Sequence, residues 1–336
     1  MSFNIAIIGA TGAVGNQLLA SLIERKFPVS NIYLLASNKS AGKKISYGER
    51  HFTVESLNTF DFSKVEIAFF SAGASVSKEF AIEAENKNCY VIDNTSYFRM
   101  HEEIPLIVPE VNANRLNGMK RKIISNPNCS TIQMIIALQP IHKINKIKKV
   151  IVSTYQSVSG AGQQALNELT SQTKNLLDEQ QVIVKNFPKQ IAFNVIPQID
   201  TFLVNGFTKE EIKMVNETKK ILDKDIEVNA TCVRVPSYIG HAESVYIELD
   251  NVIDLNSLKN VMFNNPAIKF SDLEYHTPID SAGNDWVYVS RLRKDLHKDN
   301  AFNLWVVSDN LLKGAALNSI QIAESLVKKN IVNTNE

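Results

Sequence analysis

Cysteine is scarce in this chain. Three thiols in 336 residues, Cys89, Cys129 and Cys232, show no paired spacing, which excludes a secreted disulfide framework and the common zinc motifs, so no metal site is expected. Charge of one sign is lacking as well. With 36 basic and 35 acidic side chains the formal net charge is +1, so no overall field draws the protein to nucleic acid or an anionic membrane, and any anion must be bound locally. No apolar run approaches the roughly 20 residues that span a bilayer. Met1-Ser2-Phe3-Asn4 carries no basic region ahead of an apolar stretch; no signal peptide and a cytoplasmic location are therefore expected. Internal repeats and low-complexity tracts are also missing. The lysines of 143–149 alternate with isoleucines and read as a solvated edge.

What is present is ordinary globular material, 44% hydrophobic and 21% charged, long enough for two domains with full cores. Residues 3–8 form an apolar run that reaches Gly9-Ala10-Thr11-Gly12-Ala13-Val14-Gly15, after which Leu18, Leu19, Leu22 and Ile23 recur at helical spacing. Strands are expected at 31–36, 65–70 and 90–92, with a helix at 77–87. That alternation predicts an α/β fold whose N-terminal part is a doubly wound parallel sheet. Beyond Cys129 the strands lengthen and alternate: 149–156, 228–235, 244–249, 286–292 and 302–307, with helices at 162–177 and 208–222. One polar face per strand suits a mainly antiparallel sheet in an α+β second domain. The segment 311–327 is amphipathic and is expected to return to the first sheet. The expected division is 1–130, completed by a helix at 311–330, and 131–310.

The glycine loop follows a strand and opens a helix, the setting in which backbone N–H groups cradle a pyrophosphate. A structural tight turn is the competing account. At the end of the second strand no acid is present to hold ribose hydroxyls; the chain runs Ala36-Ser37-Asn38-Lys39-Ser40-Ala41-Gly42-Lys43-Lys44, which suits a 2′-phosphate and favours NADP. Ser71-Ala72-Gly73-Ala74, after another strand, is a second place where a cofactor can approach the backbone.

Asn126-Pro127-Asn128-Cys129-Ser130-Thr131 sets a thiol at the mouth of the apolar run 132–141, where unpaired N–H groups and the helix dipole favour thiolate. Packing is the alternative for any free cysteine. It is preferred for Cys89 and Cys232, which lie in apolar strand-like runs. Among six histidines His241 is the base candidate, beside Arg234 in Val233-Arg234-Val235-Pro236-Ser237-Tyr238-Ile239-Gly240-His241; the guanidinium suits a carboxylate and the imidazole a proton. His51, His101, His142, His276 and His297 read as surface groups. Thiolate, NADP site and histidine together point to acyl transfer coupled with hydride transfer through a thioester.

These stretches, with Asn94-Thr95-Ser96-Tyr97-Phe98-Arg99-Met100, Pro109-Glu110-Val111-Asn112, Gln156-Ser157-Val158-Ser159-Gly160-Ala161-Gly162, Phe193-Asn194-Val195-Ile196-Pro197-Gln198-Ile199-Asp200 and Lys209-Glu210-Glu211-Ile212-Lys213-Met214, resemble the aspartate-β-semialdehyde dehydrogenase family in its shorter, Gram-positive-type form, over essentially the whole length. The resemblance implies a Rossmann-like first domain and a catalytic and dimerisation second domain. It implies NADPH-dependent reductive dephosphorylation of L-4-aspartyl phosphate to L-aspartate 4-semialdehyde and phosphate, in lysine, diaminopimelate, methionine, threonine and isoleucine biosynthesis, by a homodimer. By resemblance Cys129 attacks the acyl phosphate, His241 handles the proton, and Gln156 orients the acyl group. Arg99 and Lys213 take phosphate, Glu210 the substrate ammonium and Arg234 its α-carboxylate. Gly9, Thr11, Gly12, Ala13 and Val14, Lys39 with Ser40, Ser71 and Gly73, Ser159 with Gly160, and Asn310 are assigned to the cofactor. Read by themselves, Glu210 and Lys213 are an ordinary solvated helix pair. Many relatives carry arginine where this chain has Lys39, and a point charge in place of a planar fork weakens discrimination against NAD. The rival readings are an N-acetyl-glutamyl-phosphate reductase, against which Glu210 and a free-ammonium substrate argue, and a catalytically silent NADP-binding relative.

Overall fold

The structure is a computed structural model that describes residues 2–332. The chain forms two compact units, one of Met1–Asn128 with Ala315–Glu336 and one of Cys129–Gly314.

The first unit runs β1 (Phe3–Ile8), α1 (Ala13–Glu24), β2 (Val29–Ala36), β3 (Lys44–Tyr47), β4 (Arg50–Ser56), β5 (Ile67–Phe70), α2 (Ala74–Asn86), β6 (Tyr90–Asp93), the one-turn α3 (Pro109–Asn112) and β7 (Ile123–Ser125). Its strands pair in the order β3-β4-β2-β1-β5-β6-β7, all parallel except β3 against β4. Side-chain alternation explains why β1 is apolar throughout. Phe3, Ile5 and Ile7 enter a core with Leu18 and Leu22 of α1, while Ala6 and Ile8 enter a second core with Phe62 and with Ala81 and Ala84 of α2. The β3–β4 hairpin has no counterpart in the sequence reading, because its strands are mostly exposed and present no apolar run.

The second unit runs α4 (Cys129–Ile144), β8 (Ile147–Gln156), α5 (Gln163–Leu177), α6 (Lys209–Ile221), β9 (Glu227–Arg234), β10 (His241–Leu249), α7 (Leu255–Phe263), β11 (Ile268–Ser271), the one-turn α8 (Pro278–Ser281), β12 (Val287–Lys294) and β13 (Ala301–Ser308). The sheet order is β11-β12-β13-β10-β8-β9. The three central pairings are antiparallel, while β11 with β12 and β8 with β9 are parallel. Along β10, His241, Glu243, Val245, Ile247 and Leu249 are buried while Ser244 is exposed. The opposite face leaves Ile151 and Tyr155 of β8 accessible, with Tyr155 against Trp305 at 5.7 Å between rings. The buried face lies under α4, which is buried without interruption from Ser130 to Ile141.

The chain leaves this unit through a π-helical turn, Leu312–Ala316, and closes with α9 (Leu317–Lys328). Sequence periodicity predicts one amphipathic helix here. The difference has a local cause: Gly314 N–H donates to the Asp309 carbonyl five residues back, and the widened turn lets Gly314 lie against Cys129. Ile320, Ala323 and Leu326 of α9 then join Phe3, Ile5 and Leu18 in the first unit's core. No helix among the described residues is long and apolar enough to cross a membrane.

Candidate active site

Cys129 is the first residue of α4 and is partly buried. A Cβ added to Gly314 would stand 2.8 Å from the Cys129 Cβ, so only glycine fits beside the thiol. Cys89 and Cys232 are buried, and burial pushes both thiols far up from their ordinary value. They pack, as expected, and are inert as nucleophiles.

Three neighbouring strands bring the other chemistry into one row. Gln156, the last residue of β8, pairs with Arg234, the last of β9, and with His241, the first of β10. Residues paired across strands project to the same face, and all three are buried. Helix α6 adds a fourth member. Its N-terminus is fixed by a capping box in which Thr208 and Glu211 exchange hydrogen bonds, and Glu211 also accepts the Cys232 N–H at 3.0 Å. Glu210, in the same turn, accepts from Gln156 Nε2 at 3.2 Å and from Lys213 Nζ at 3.0 Å.

Thr154, buried on the same face, donates to Gln156 Oε1 at 3.0 Å. The carboxamide is thereby held at both ends, oxygen to Thr154 and nitrogen to Glu210. Lys213 is shared with Asp200 at 3.0 Å, a residue in a left-handed conformation at φ 68°. Burial opposes the charges of this pair, but Glu210 and Asp200 together hold the Lys213 ammonium above its usual range and Lys213 holds Asp200 below. Arg234 Nη1 donates to the Ser157 carbonyl at 2.7 Å; burial lowers its affinity for a proton, against Glu210, Cys129 and Cys232, which favour the cation.

His241 is completely buried. Its Nδ1 accepts the Ser157 N–H at 3.1 Å and lies 3.2 Å from Ser157 Oγ, while Nε2 has no hydrogen-bond partner. Burial, then the Arg234 charge, bring its pKa down to about 3 against Glu210 and the Gly240 backbone. Behind the ring, Ser157 Oγ donates to Asn310 Oδ1 at 3.1 Å, which also accepts the Gly240 N–H at 2.9 Å; Asn310 Nδ2 donates to Ser159 Oγ at 2.9 Å. A Cβ on Gly160 would come within 3.1 Å of Arg234 Nη1 and 3.5 Å of His241 Nε2, so the loop after β8 covers both groups at close range. Glu243, two residues along β10, is fully buried, and burial raises its carboxyl well above the ordinary range, with Gln133 alone favouring the charge.

In the first unit the two small-residue turns meet. A Cβ at Gly9, which has φ +86°, would stand 2.9 Å from Ala72 N, and one at Gly15 only 2.3 Å from the Gly9 carbonyl. Gly12 precedes α1 with no side-chain cap and no acid in the first turn, leaving backbone N–H groups for an anion beside exposed Thr11 and half-buried Ala13 and Val14. Ser71 Oγ donates to the Ile8 carbonyl at 2.9 Å, and Gly73 has φ +99° with open space around it. After β2, Lys39 is exposed and Ser40 half-buried, and Asn38 is held by the Ser56 hydroxyl. On the neighbouring strand β4, exposed Glu55 pairs with Leu35 and Ser56 with Ala36 at the end of β2. Arg99 is buried and donates to the Asn94 carbonyl at 2.8 Å. Its loop is organised by buried Asp93, which accepts from Ser77 Oγ, Thr95 N–H and Thr95 Oγ1.

The second unit thus assembles Gln156, Glu210, Lys213, Arg234 and His241, with Cys129 favouring the Arg234 cation and Ser159, Gly160 and Asn310 around the histidine. Gly9, Thr11, Gly12, Ala13, Val14, Lys39, Ser40, Ser71, Gly73 and Arg99 belong to the first unit. Asp200, Thr154, Ser157 and Gly314 carry no role in the sequence reading. Two histidines expected at the surface are half-buried: His142 lies against Asp223 at 3.4 Å, and the His276 ring packs on Tyr288 at 4.4 Å. The lysines of 143–149 form exposed ion pairs, Lys148 with Asp250 and Lys149 with Glu227. Among the described residues no cluster of His, Cys, Asp and Glu is arranged to hold a metal.

A family model described as the NAD binding domain of semialdehyde dehydrogenase matches residues 4–119, and one described as the semialdehyde dehydrogenase dimerisation domain matches residues 138–313. Among curated proteins, an aspartate-semialdehyde dehydrogenase of Bacillus subtilis (strain 168) is 51% identical over 342 residues, covering 98% of this chain and 99% of its own. One from Shewanella sp. (strain DB6705) is 48% identical over 331 residues, with 97% and 98% covered. Among solved structures, aspartate semialdehyde dehydrogenase II of Vibrio cholerae, complexed with ASA, superposes with a TM-score of 0.96 at 48% identity, covering 98% of this chain and 99% of that one.

Proposed function

From a chain that belongs to the semialdehyde dehydrogenase family, we infer an oxidoreductase that converts L-4-aspartyl phosphate to L-aspartate 4-semialdehyde and phosphate through a thioester on Cys129, with NADPH as reductant. The reaction is reversible and supplies lysine with diaminopimelate, methionine, threonine and isoleucine synthesis. The observation that carries this reading is the row Arg234, Gln156, His241 beside Glu210, a set of charges that suits an amino acid with an activated side chain.

In this reading the Cys129 thiolate attacks the acyl carbon and phosphate leaves with the C–O bonding pair. Arg234 takes the α-carboxylate and Glu210 the α-ammonium, each by charge-assisted hydrogen bonding. Lys213 and Arg99 take phosphate. Gln156, fixed through Thr154 and Glu210, orients the acyl group, and His241 handles the proton as the hemithioacetal collapses. Bound NADPH supplies the hydride that reduces the thioester. The pyrophosphate would be held by Gly9, Thr11, Gly12, Ala13 and Val14 at the α1 N-terminus, the 2′-phosphate by Lys39 and Ser40, and the nicotinamide half by Ser71, Gly73, Ser159, Gly160 and Asn310. A homodimer formed through the second unit accords with the accessible Ile151 and Tyr155 on the outer face of its sheet. A cytoplasmic location accords with three free cysteines.

The test is phosphate-dependent production of NADPH from aspartate semialdehyde by the wild type beside Cys129→Ala. Activity in the wild type and a loss of at least about 10³-fold in the variant are expected. Equal rates would remove the thioester.

A further inference from the structure

We propose that in the empty site the Lys213 ammonium occupies the place on Glu210 that the substrate ammonium takes, and that its displacement onto Asp200 readies Lys213 for phosphate, so that the amino end and the phosphate end are bound cooperatively. The inference rests on the reaction above and on the roles given there to Glu210 and Lys213; it adds how the two communicate.

Glu210 and Lys213 stand one turn apart on α6, and the carboxylate is engaged at both oxygens: Oε1 accepts from Gln156 Nε2 at 3.2 Å and Oε2 from Lys213 Nζ at 3.0 Å. Glu210 is also buried, and close enough to Arg234 to favour that cation. A second ammonium brought to it meets Lys213 as a like charge at hydrogen-bonding range. Lys213 has another seat. Its Nζ already donates to Asp200 Oδ2 at 3.0 Å, and the Asp200 side chain is 34% exposed where that of Glu210 is 7%. Asp200 does not travel with the lysine, because its Oδ1 accepts the Thr201 N–H at 2.8 Å and the Thr201 carbonyl accepts the Lys209 N–H at 2.9 Å at the start of α6. Exchange therefore leaves every charge paired, Glu210 with the substrate and Lys213 with Asp200, and avoids the cost of a buried carboxylate stripped of its cation.

The exchange changes what Lys213 offers an anion. Between two carboxylates, each at 3.0 Å, its charge is countered twice. Released from Glu210 it answers to one, the more exposed of the pair, and a phosphate dianion meets a cation with a single competitor for its donors. A molecule that lacks the ammonium cannot make the exchange. Lys213 then stays on Glu210, and phosphate is held weakly. An aldehyde whose amino group is blocked is in this way refused twice, once at Glu210 and again at the phosphate.

The test titrates inorganic phosphate, followed by 31P NMR, into the full-length Cys129→Ala protein, which forms no covalent adduct with an aldehyde. Three states are compared: without aldehyde, with L-aspartate 4-semialdehyde, and with succinic semialdehyde, which lacks the ammonium, each aldehyde above its own Kd. The first aldehyde should tighten phosphate binding at least about fivefold, and the second should leave it unchanged. In the same background Glu210→Gln should bind phosphate tightly from the start and show no response to aldehyde, because no charge at that position holds Lys213. Lys213→Met should bind phosphate weakly, again without response. One phosphate Kd in all three states of the parent would overturn the proposal. So would a tightening that survives in Lys213→Met, since the field of the substrate would then suffice; circular dichroism confirms that each variant is folded. Without phosphate-dependent activity in the wild type the reaction falls and the coupling with it, whereas activity beside a flat phosphate Kd removes the coupling alone.

Discussion

Thr154 shows how much of this site depends on side chains that touch no substrate. Its hydroxyl holds the oxygen end of the Gln156 carboxamide, whose nitrogen end is fixed by the acceptor-only Glu210 carboxylate. Thr154→Val keeps the shape and removes the donor, leaving the carboxamide held at its nitrogen end alone. The loss of one hydrogen bond is worth about 1 kcal/mol, and kcat should fall about five- to tenfold with little change in the KM for phosphate. Thr154→Ser should restore the rate; a Val variant with wild-type kcat would remove Thr154 from this role. At this scale the sequence was informative about groups with distinctive chemistry. Cys129 stands out by its place at the mouth of the apolar run 132–141 and His241 by its neighbour Arg234. Glu210 and Lys213 looked like any helix pair because Gln156, which makes Glu210 part of a pocket, lies 54 positions away. Thr154, Ser157 and Asp200 are common residue types whose importance comes only from what the fold sets beside them.

The elements themselves were largely readable, because period and punctuation agree. Strands β1, β5, β8 and β13 and helices α5 and α6 fall within a few residues of their expected places, and β3 with β4 was missed for want of an apolar run. Strand order was not readable. That β9, β8 and β10 lie side by side is decided by crossovers far longer than any periodic window, and that order makes a row of Arg234, Gln156 and His241. The capping box of α6 is a local signal with a long-range task, since Glu211 also ties the helix to Cys232 in β9. Thr208→Ala should destabilise the second unit by about 1 kcal/mol. The check is the urea midpoint followed by tryptophan fluorescence, which reports on this unit because Trp286 and Trp305 both lie in it; an unshifted midpoint would show that the cap contributes nothing.

For the molecule as a whole, two buried groups on one strand oppose each other in pH. His241 has an ordinary value of 6.5 and is held down at about 3. Below 6.5 the unfolded chain therefore binds a proton that the folded one does not, and stability falls as pH falls. Glu243 has an ordinary value of 4.5 and is held well above it. Above 4.5 the folded chain keeps a proton that the unfolded one has lost, so stability falls as pH rises. Between 4.5 and 6.5 the two slopes oppose each other for as long as the native carboxyl keeps its proton. Glu243→Gln removes the second, and above 4.5 the variant should gain on the wild type by about 1.4 kcal/mol per pH unit until the native carboxyl ionises. Urea midpoints across that range test this, and parallel profiles for the two proteins would mean that Glu243 is charged in the native state. The division of the chain has another consequence. Residues 129–314 begin at Cys129 and end at the glycine packed on it, so this span is a closed insertion whose two ends adjoin. A recombination that exchanged it for a relative's counterpart would carry thiol, carboxamide, guanidinium and imidazole together with Ser159, Gly160 and Asn310, and leave the glycine loop, Lys39 and Arg99 behind. On the proposed assignments the grip on the amino-acid end and the grip on the dinucleotide phosphates are thus separate inheritances, free to change in different generations.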